Sequence, residues 1–313
     1  MSKKTAPLNG TATSPLYYHC AGLTDTGQLR SHNEDAYKLP LNIEADSLRQ
    51  KGYFYVLADG MGGHHKGEIA AAVAIETTNT AYYENLTSLD GDDPQEDIIQ
   101  AMAKAIEVAN YRVMEATEGG GTTIVAATLY QDRLVIMNIG DSRAYLWRDG
   151  QLEMVSRDHS LVFRLKEMGK ITEEEALNHP RQNVLYQALG QGSDLEIHVY
   201  TDLLRLNDVI ILCSDGLWGP LGDAAIQDVL STTPSPLKAS RTLIDLANAA
   251  GGPDNITTVI VRVADTEPPE DYLANEAAQF PPDAGDTQPL PLAGTRPITL
   301  PEGKFFREGG EAQ

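Results

Sequence analysis

The 313-residue sequence predicts an α+β fold, and three observations carry that prediction. Short apolar runs closed by tight turns recur along the chain and read as strands. Two pairs of helical stretches are set among them, about 67–85 with 93–113, and about 223–231 with 236–250. Several strand-like runs also end in Asp-Gly or Gly-Asp, which places carboxylates on turns beside a sheet.

Taken in order, residues 1–15 are rich in Thr, Ser, Ala, Pro and Gly and are expected to be disordered. A folded domain is expected over 16–264. From Tyr17 the chain is strand-like and leads to Arg30 and then Asn33-Glu34-Asp35. Taken alone, Arg30 reads as a surface ion-pair partner. Beside the acidic pair it can also grip a phosphate bidentately while Glu34 and Asp35 hold a cation or its waters. The apolar run Tyr53 to Leu57 then delivers Ala58-Asp59-Gly60-Met61-Gly62-Gly63-His64. This predicts a buried strand that brings Asp59 to the sheet edge, followed by a tight turn. Glycine allows close backbone approach, so the Gly60 carbonyl is itself a candidate ligand.

The helical stretch 67–85 carries small residues (Ala70, Ala71, Ala74) suited to close packing. The acidic loop 88–94 lacks the rest of a calcium-binding loop and reads as a solvated turn, with Asp93 capping the next helix. Thr122 to Tyr130, Arg133 to Ile139, Ala144 to Arg148 and Gln151 to Val155 form a hairpin series, and Gly140-Asp141 adds a fourth turn carboxylate. Residues 157–192 are polar and irregular, with a capping box at Thr172 and Glu175, and are expected to form a flap over the site. His159 and His179 read as local hydrogen-bonding residues. Strands 196–200 and 208–213 lead to Ser214-Asp215-Gly216, and Asp254-Asn255 precedes a last strand, 256–263. Residues 265–313 are acidic and Pro-rich and are expected to be a disordered tail, with Gly303 to Arg307 as a candidate docking peptide.

Composition narrows the function. A net charge of −21 argues against nucleic-acid binding and against docking on an anionic membrane. Cys20 and Cys213 have no metal-type spacing and read as buried free thiols in a reducing compartment. No apolar run of about 18 residues occurs, so no membrane span is expected, and no signal-peptide core is seen in Met1 to Pro15. A cytoplasmic monomer is the expectation.

Each Asp-Gly turn is weak evidence alone, but Asp59, Asp215 and Asp254 together suggest one oxygen-rich site. Hard cations such as Mg²⁺ or Mn²⁺ prefer such ligands, and clustered carboxylates repel unless cations neutralise them. Two ions about 4 Å apart would polarise a shared water into hydroxide and bind phosphoryl oxygens during in-line displacement.

The order Arg30…Asn33-Glu34-Asp35, Asp59-Gly60-Met61-Gly62-Gly63-His64, Gly121-Thr122-Thr123, Gly140-Asp141-Ser142-Arg143, Asp158-His159-Ser160, Ser214-Asp215-Gly216, Asp254-Asn255-Ile256-Thr257 resembles the metal-dependent serine/threonine phosphatases of type 2C, in particular their bacterial branch. The resemblance implies a four-layer α-β-β-α sandwich with two central antiparallel sheets. It also implies a phosphoserine/phosphothreonine hydrolase with two Mn²⁺ or Mg²⁺ ions, acting on phosphorylated proteins and opposing a Ser/Thr kinase. By motif position, Asp59 would bridge both ions, Asp215 and Asp254 would complete one, and the Gly60 carbonyl, Glu34 and Asp35 would serve the other. Arg30 would bind the substrate phosphate, and Asp141 with Asp215 would take an extra, weaker metal. Where some relatives have His after Asp-Gly, this chain has Met61, which cannot donate a proton; metal-bound water, His64 or His65 would have to do so. The flap segment 182–190 lacks basic residues often found there, so substrate preference does not carry over. A phosphoprotein-binding pseudoenzyme is the rival reading, and the presence of every Asp ligand weighs against it.

Overall fold

The apolar runs of this chain are nearly unbroken rather than alternating because both faces of each sheet are covered. The computed structural model describes residues 16–62, 66–177, 179–267 and 304–307. One sheet is ordered β1 (Tyr17–Asp25), β11 (Ile256–Ala264), β10 (Val209–Cys213), β7 (Arg143–Arg148) and β8 (Gln151–Met154). The other runs β12 (Lys304–Arg307), β9 (Glu196–Leu203), β6 (Arg133–Ile139), β5 (Ile124–Tyr130), β3 (Tyr53–Met61) and β2 (Asp35–Lys38), with β4 (Gly121–Thr122) paired to the end of β3. Neighbours are antiparallel except β12, which lies parallel to β9.

Strand periodicity sorts the side chains into three apolar layers. Between the sheets pack Tyr55 and Leu57 of β3, Val125, Ala127 and Leu129 of β5, Ile210 and Leu212 of β10, and Val259, Val261 and Val263 of β11. The opposite face of β3 presents Phe54, Val56 and Ala58 to helices α2 (Lys66–Asn85) and α3 (Pro94–Thr117). There Phe54 stacks on Tyr82 with centroids 4.4 Å apart, a contact that adds about 1 kcal/mol to the burial of both rings. The outer face of β10 presents Val209, Ile211 and Cys213 to α6 (Asp215–Thr232) and α7 (Pro236–Ala249). The result is the expected four-layer α-β-β-α sandwich. Both cysteines are buried, and neither forms a disulfide.

Local signals set the helix ends. Asp93 accepts from the Glu96 amide at 3.2 Å ahead of Pro94, and Ser235 caps α7 ahead of Pro236. Ser160 caps α4 (Leu161–Glu167), and the Thr172–Glu175 capping box opens α5 (Glu173–Leu177). Neither β2 nor α1 (Ala45–Lys51) is anticipated by sequence pattern; α1 buries no residue, so it carries no apolar stripe to read.

The structure differs from expectation at two of the turns. Asp59 lies inside β3, which continues to Met61 because Gly60 and Met61 pair with Thr122 and Gly121. Asp215 is the first residue of α6 rather than part of a turn, with Ser214 at the N-cap; the helix breaks at Gly222 (φ 67°) and resumes over the stretch the sequence predicts. Within the expected tail, residues 304–307 form a strand on the β9 edge. The remaining parts of the expected N-terminal lead and C-terminal tail lie outside the described residues.

Candidate metal centre

Strand register brings the acidic residues to one end of the sandwich. Cys213 pairs with both Arg143 and Thr258, so the end of β10, the start of β7 and the start of β11 coincide. Asp215, Asp141 and Asp254, each two residues beyond one of those strand ends or four before its paired position, therefore meet there. In the other sheet Asp35 is the direct cross-strand partner of Asp59. Two like charges placed opposite each other on one face oppose strand pairing, which calls for a neutralising partner.

Hydroxyl and amide groups fix this array across the two sheets. Asp35 Oδ2 accepts from Ser214 Oγ at 2.7 Å and from Thr257 Oγ1 at 2.6 Å, which ties β2 to the β10 and β11 ends. The Asp59 amide donates to Thr123 Oγ1 at 2.9 Å, and its carbonyl accepts from the Thr123 amide at 2.9 Å and Thr122 Oγ1 at 2.8 Å. Asn255 accepts from the Glu34 amide at 2.8 Å and donates to the carbonyls of Thr26 and His32, both at 2.9 Å, so one side chain holds the loop that carries Arg30 and Glu34. Trp218 donates to the Asp141 carbonyl at 3.0 Å, and Arg143 stacks on its ring at 3.4 Å.

Gly60 is required by space rather than by an unusual φ. A Cβ there would run into the Gly67 carbonyl and lie 2.6 Å from the Glu34 carbonyl oxygen, which accepts from the Gly60 amide at 3.0 Å. A Cβ on Gly67 would in turn collide with the Glu34 carboxylate. The backbone at residue 60 and the Glu34 side chain are thus held close together, with no room for a larger residue.

Four of these carboxyl groups resist ionisation. Asp35 is pushed up to about 7 and Asp215 to about 6, and Asp59 and Asp141 are raised well above the usual range. Loss of water contact is the main cause in each case, followed by carboxylate repulsion, which for Asp59 comes from Asp35, Asp215, Asp141 and Asp254. Among the described residues, Arg30 is the cation paired into the group, its Nη2 donating to Asp254 Oδ2 at 2.6 Å from a side chain that is half exposed. Arg143 eases Asp141 but is itself paired with Asp158. Asp35 Oδ1 and Asp215 Oδ1 are buried with no hydrogen-bond partner among the described residues. Among the described residues no three His, Cys, Asp or Glu side chains already close around a single point. Asp254 is turned to Arg30 and Asp35 to its hydroxyl donors. Orphaned oxygens, an all-oxygen donor set and excess negative charge nevertheless fit hard divalent cations.

A cleft of about 400 Å³ opens over these residues, lined by Arg30, Glu34, Asp59, Gly60, Asp141, Asp215 and Asp254. Asn183, Leu185, Tyr186, Gln187, Ala188 and Gln191 of the expected flap form its other wall. The flap is tied down where Leu185 bridges Ser160 and Leu189 bridges Thr122. His159 is buried, pushed down to about 3 chiefly by that burial, and accepts from the Gly140 amide. His179 accepts from the Arg181 amide at 3.1 Å. Both therefore have the local role expected of them. His64 and His65 lie outside the described residues.

Sequence reasoning names every carboxylate of the cluster but misses what holds it: Ser214, Thr257, Asn255, Thr123 and Gly67. It also leaves Asp158 without a role. The structure buries Asp158 against Arg143, with Nη2 donating at 2.8 Å, which anchors the root of the flap to β7.

The profile of the family described as protein phosphatase 2C matches residues 21–181. The serine/threonine phosphatase stp of Listeria innocua is 34% identical over 249 residues, covering 78% of this chain and 95% of the relative. The chain belongs to the protein phosphatase 2C family. The crystal structure of the Mycobacterium tuberculosis serine/threonine phosphatase PstP/Ppp superposes with a TM-score of 0.67 at 33% identity, over 80% of this chain and 99% of that one. A second solved structure, the PstP catalytic domain in complex with two manganese ions, gives a TM-score of 0.65 at 33% identity, over 80% and 99% of the two chains. The bacterial type 2C resemblance read from the motifs is borne out, and with it the enzyme class, a protein serine/threonine phosphatase of a metal-dependent family. No helix among the described residues is long and apolar enough to cross a membrane.

Proposed function

We propose that this chain hydrolyses phosphoserine and phosphothreonine monoesters on proteins at the Asp59 end of the sandwich, with two Mn²⁺ or Mg²⁺ ions, in opposition to a Ser/Thr kinase. The carrying observation is the cluster of five aspartates, of which only Asp254 is ion-paired among the described residues, to a half-exposed Arg30, and which holds two buried oxygens without a hydrogen-bond partner there. Bound divalent cations would supply an activated water and offset the charge of the phosphate.

The chain's own residues would do the rest. Asp59, central to the cluster and repelled by four other aspartates, would serve both ions. Asp215 and Asp254 would complete one site, and Glu34, Asp35 and the Gly60 carbonyl the other, with Asp141 available to an additional ion beside Asp215. Arg30, mobile enough at the cleft rim to leave Asp254 once that carboxylate binds a cation, would grip the substrate phosphate through its planar fork. The flap wall from Asn183 to Gln191 would meet the peptide on either side of the phosphoresidue. Met61 cannot give a proton to the leaving alkoxide, so that proton would come from water held at the metal centre or from His64 or His65. A cytoplasmic, monomeric enzyme built on residues 16–264 completes the reading.

Hydrolysis of a phosphothreonine peptide with Mn²⁺, with EDTA and with Asp59→Ala tests it. Phosphate release that requires the metal and Asp59 is expected. A folded protein that releases no phosphate with either Mn²⁺ or Mg²⁺ would overturn the proposal.

A further inference from the structure

The outer edge of β9 would be the open edge of its sheet but for β12. Edge strands expose a row of unpaired amides and carbonyls, and proteins cover them. Here the cover comes from the chain's own far end: Lys304, Phe305, Phe306 and Arg307 align with Glu196, Ile197, His198 and Val199. The covered half of β9 is the half nearest the metal centre, since His198 pairs with Asn138, two residues ahead of Gly140 in the turn that carries Asp141. It is also where the flap rejoins the sheet. Just upstream, Asn110 donates to the Gly192 carbonyl at 2.7 Å and accepts from the Gly190 amide at 2.7 Å.

Sequence and length both suit this pairing. In a stretch dominated by Pro, Gly and acidic residues, positions 304–307 hold two adjacent phenylalanines of the chain's five, flanked by Lys and Arg. Aromatic residues favour strands, and Pro and Gly do not. The main body ends at the opposite end of the sandwich, where the Asn207 amide donates to the Val263 carbonyl at 3.0 Å. To reach Glu196 the chain must travel back along β9, about 26 Å for eight residues. Residues 268–303 can span at most about 120 Å, so the return is unconstrained. A tether of that length keeps a strand of only four residues at high local concentration without making the pairing permanent.

We infer that the β9 edge is a strand-docking site whose resident occupant is the chain's own segment 304–307, and that this reversible clasp ties down the root of the flap. The recognition is by main-chain hydrogen bonds, as in strand-addition complexes generally. It does not depend on hydrolytic activity, so it stands or falls separately from the proposed function.

Hydrogen exchange on the full chain tests it. Whichever alternate set of β12 amides faces β9, Phe305→Pro with Phe306→Pro removes one donor of that set and breaks the four-residue strand. Amides in 196–199 and in the flap root 186–192 are then expected to exchange about tenfold faster or more, with the β5 amides unchanged as an internal check on folding. Added peptide of residues 302–309 should restore the protection. Of the two single variants, only the one whose N–H faces β9 should open the edge, because Pro is tolerated where the N–H faces solvent. That alternation also decides the matter should the double variant lose β5 protection as well. Unchanged β9 exchange in the variants, or an opened β9 with an unchanged flap root, would overturn the inference.

Discussion

The two ends of the sandwich both gather aspartates, yet they treat charge in opposite ways. At the far end Arg148 of β7 meets Asp208 through Nε at 2.9 Å and Nη2 at 2.7 Å, and Asp202 of β9 at 2.7 Å. The guanidinium also donates to the Leu203 carbonyl, and the carboxylates in turn hold it charged even more firmly than usual. That end is electrostatically closed and joins the two sheets. At the Asp59 end, among the described residues, only Asp254 of the five aspartates is ion-paired, to an Arg30 that stands half in solvent, and the nearby Arg143 is spent on Asp158. Four of the five are raised by burial and mutual repulsion. A structural ion cluster carries its counterion in the chain. The other cluster is left short of positive charge, which is the condition for binding cations from solution.

The largest expected effect would separate the two ends outright. Asp59→Asn should lower metal-dependent phosphate release by about 10³-fold or more, while removing a repelled charge and leaving the metal-free protein at least as stable as the parent. Steady-state kinetics and thermal melts together check this; a variant with lost activity and a collapsed melt would make Asp59 a structural residue like Asp208. At the closed end the outcome should be the reverse. Arg148→Met strands the buried Asp208 and should cost about 3 kcal/mol of stability in denaturant titration while kcat stays near that of the parent.

Arg30→Ala should raise KM for a phosphopeptide about tenfold or more with a smaller change in kcat, if its role is to grip the phosphate. An equal loss in kcat alone would point to a part in the chemical step. The smallest effect is in pH. Asp35 and Asp215 have folded-state values near 7 and 6, above the ordinary carboxylate range, so between about pH 4 and 7 the folded, metal-free protein binds more protons than the unfolded chain. Stability should therefore fall as pH rises through that window, and Tm without metal should be higher at pH 5.5 than at pH 7.5 by about 3 °C or more. Saturating Mn²⁺ at pH 7.5 should reverse the difference.

The layers and the carboxylates were legible in the sequence because each rests on a local signal. A buried strand such as β10 is a continuous apolar run, and Asp215 follows it directly. What was not legible depends on register between strands distant in sequence. Nothing near Ser214 or Thr257 announces that both hydroxyls bond Asp35, about 180 and 220 residues away. Asn255 looks like an ordinary turn residue until the Arg30 loop folds onto it. Asp215 reads as a turn residue because Asp-Gly directly after a buried strand is an ordinary turn signal, yet the chain enters a helix there and breaks only at Gly222. The residues of β12 stand out in the sequence as a candidate docking peptide, but not as a strand: four residues make no periodic pattern, and only the β9 edge gives them that conformation.

Calorimetric titration of the metal-free protein with Mn²⁺ at pH 7.5, run beside Asp59→Ala, tests the central claim most directly. The proposed function predicts two ions bound per chain, and the cluster's raised carboxyls predict proton release as they ionise and loss of binding in the variant. A parent protein that binds no Mn²⁺, or that binds it equally well without Asp59, would contradict the assignment of this end of the sandwich as the metal centre.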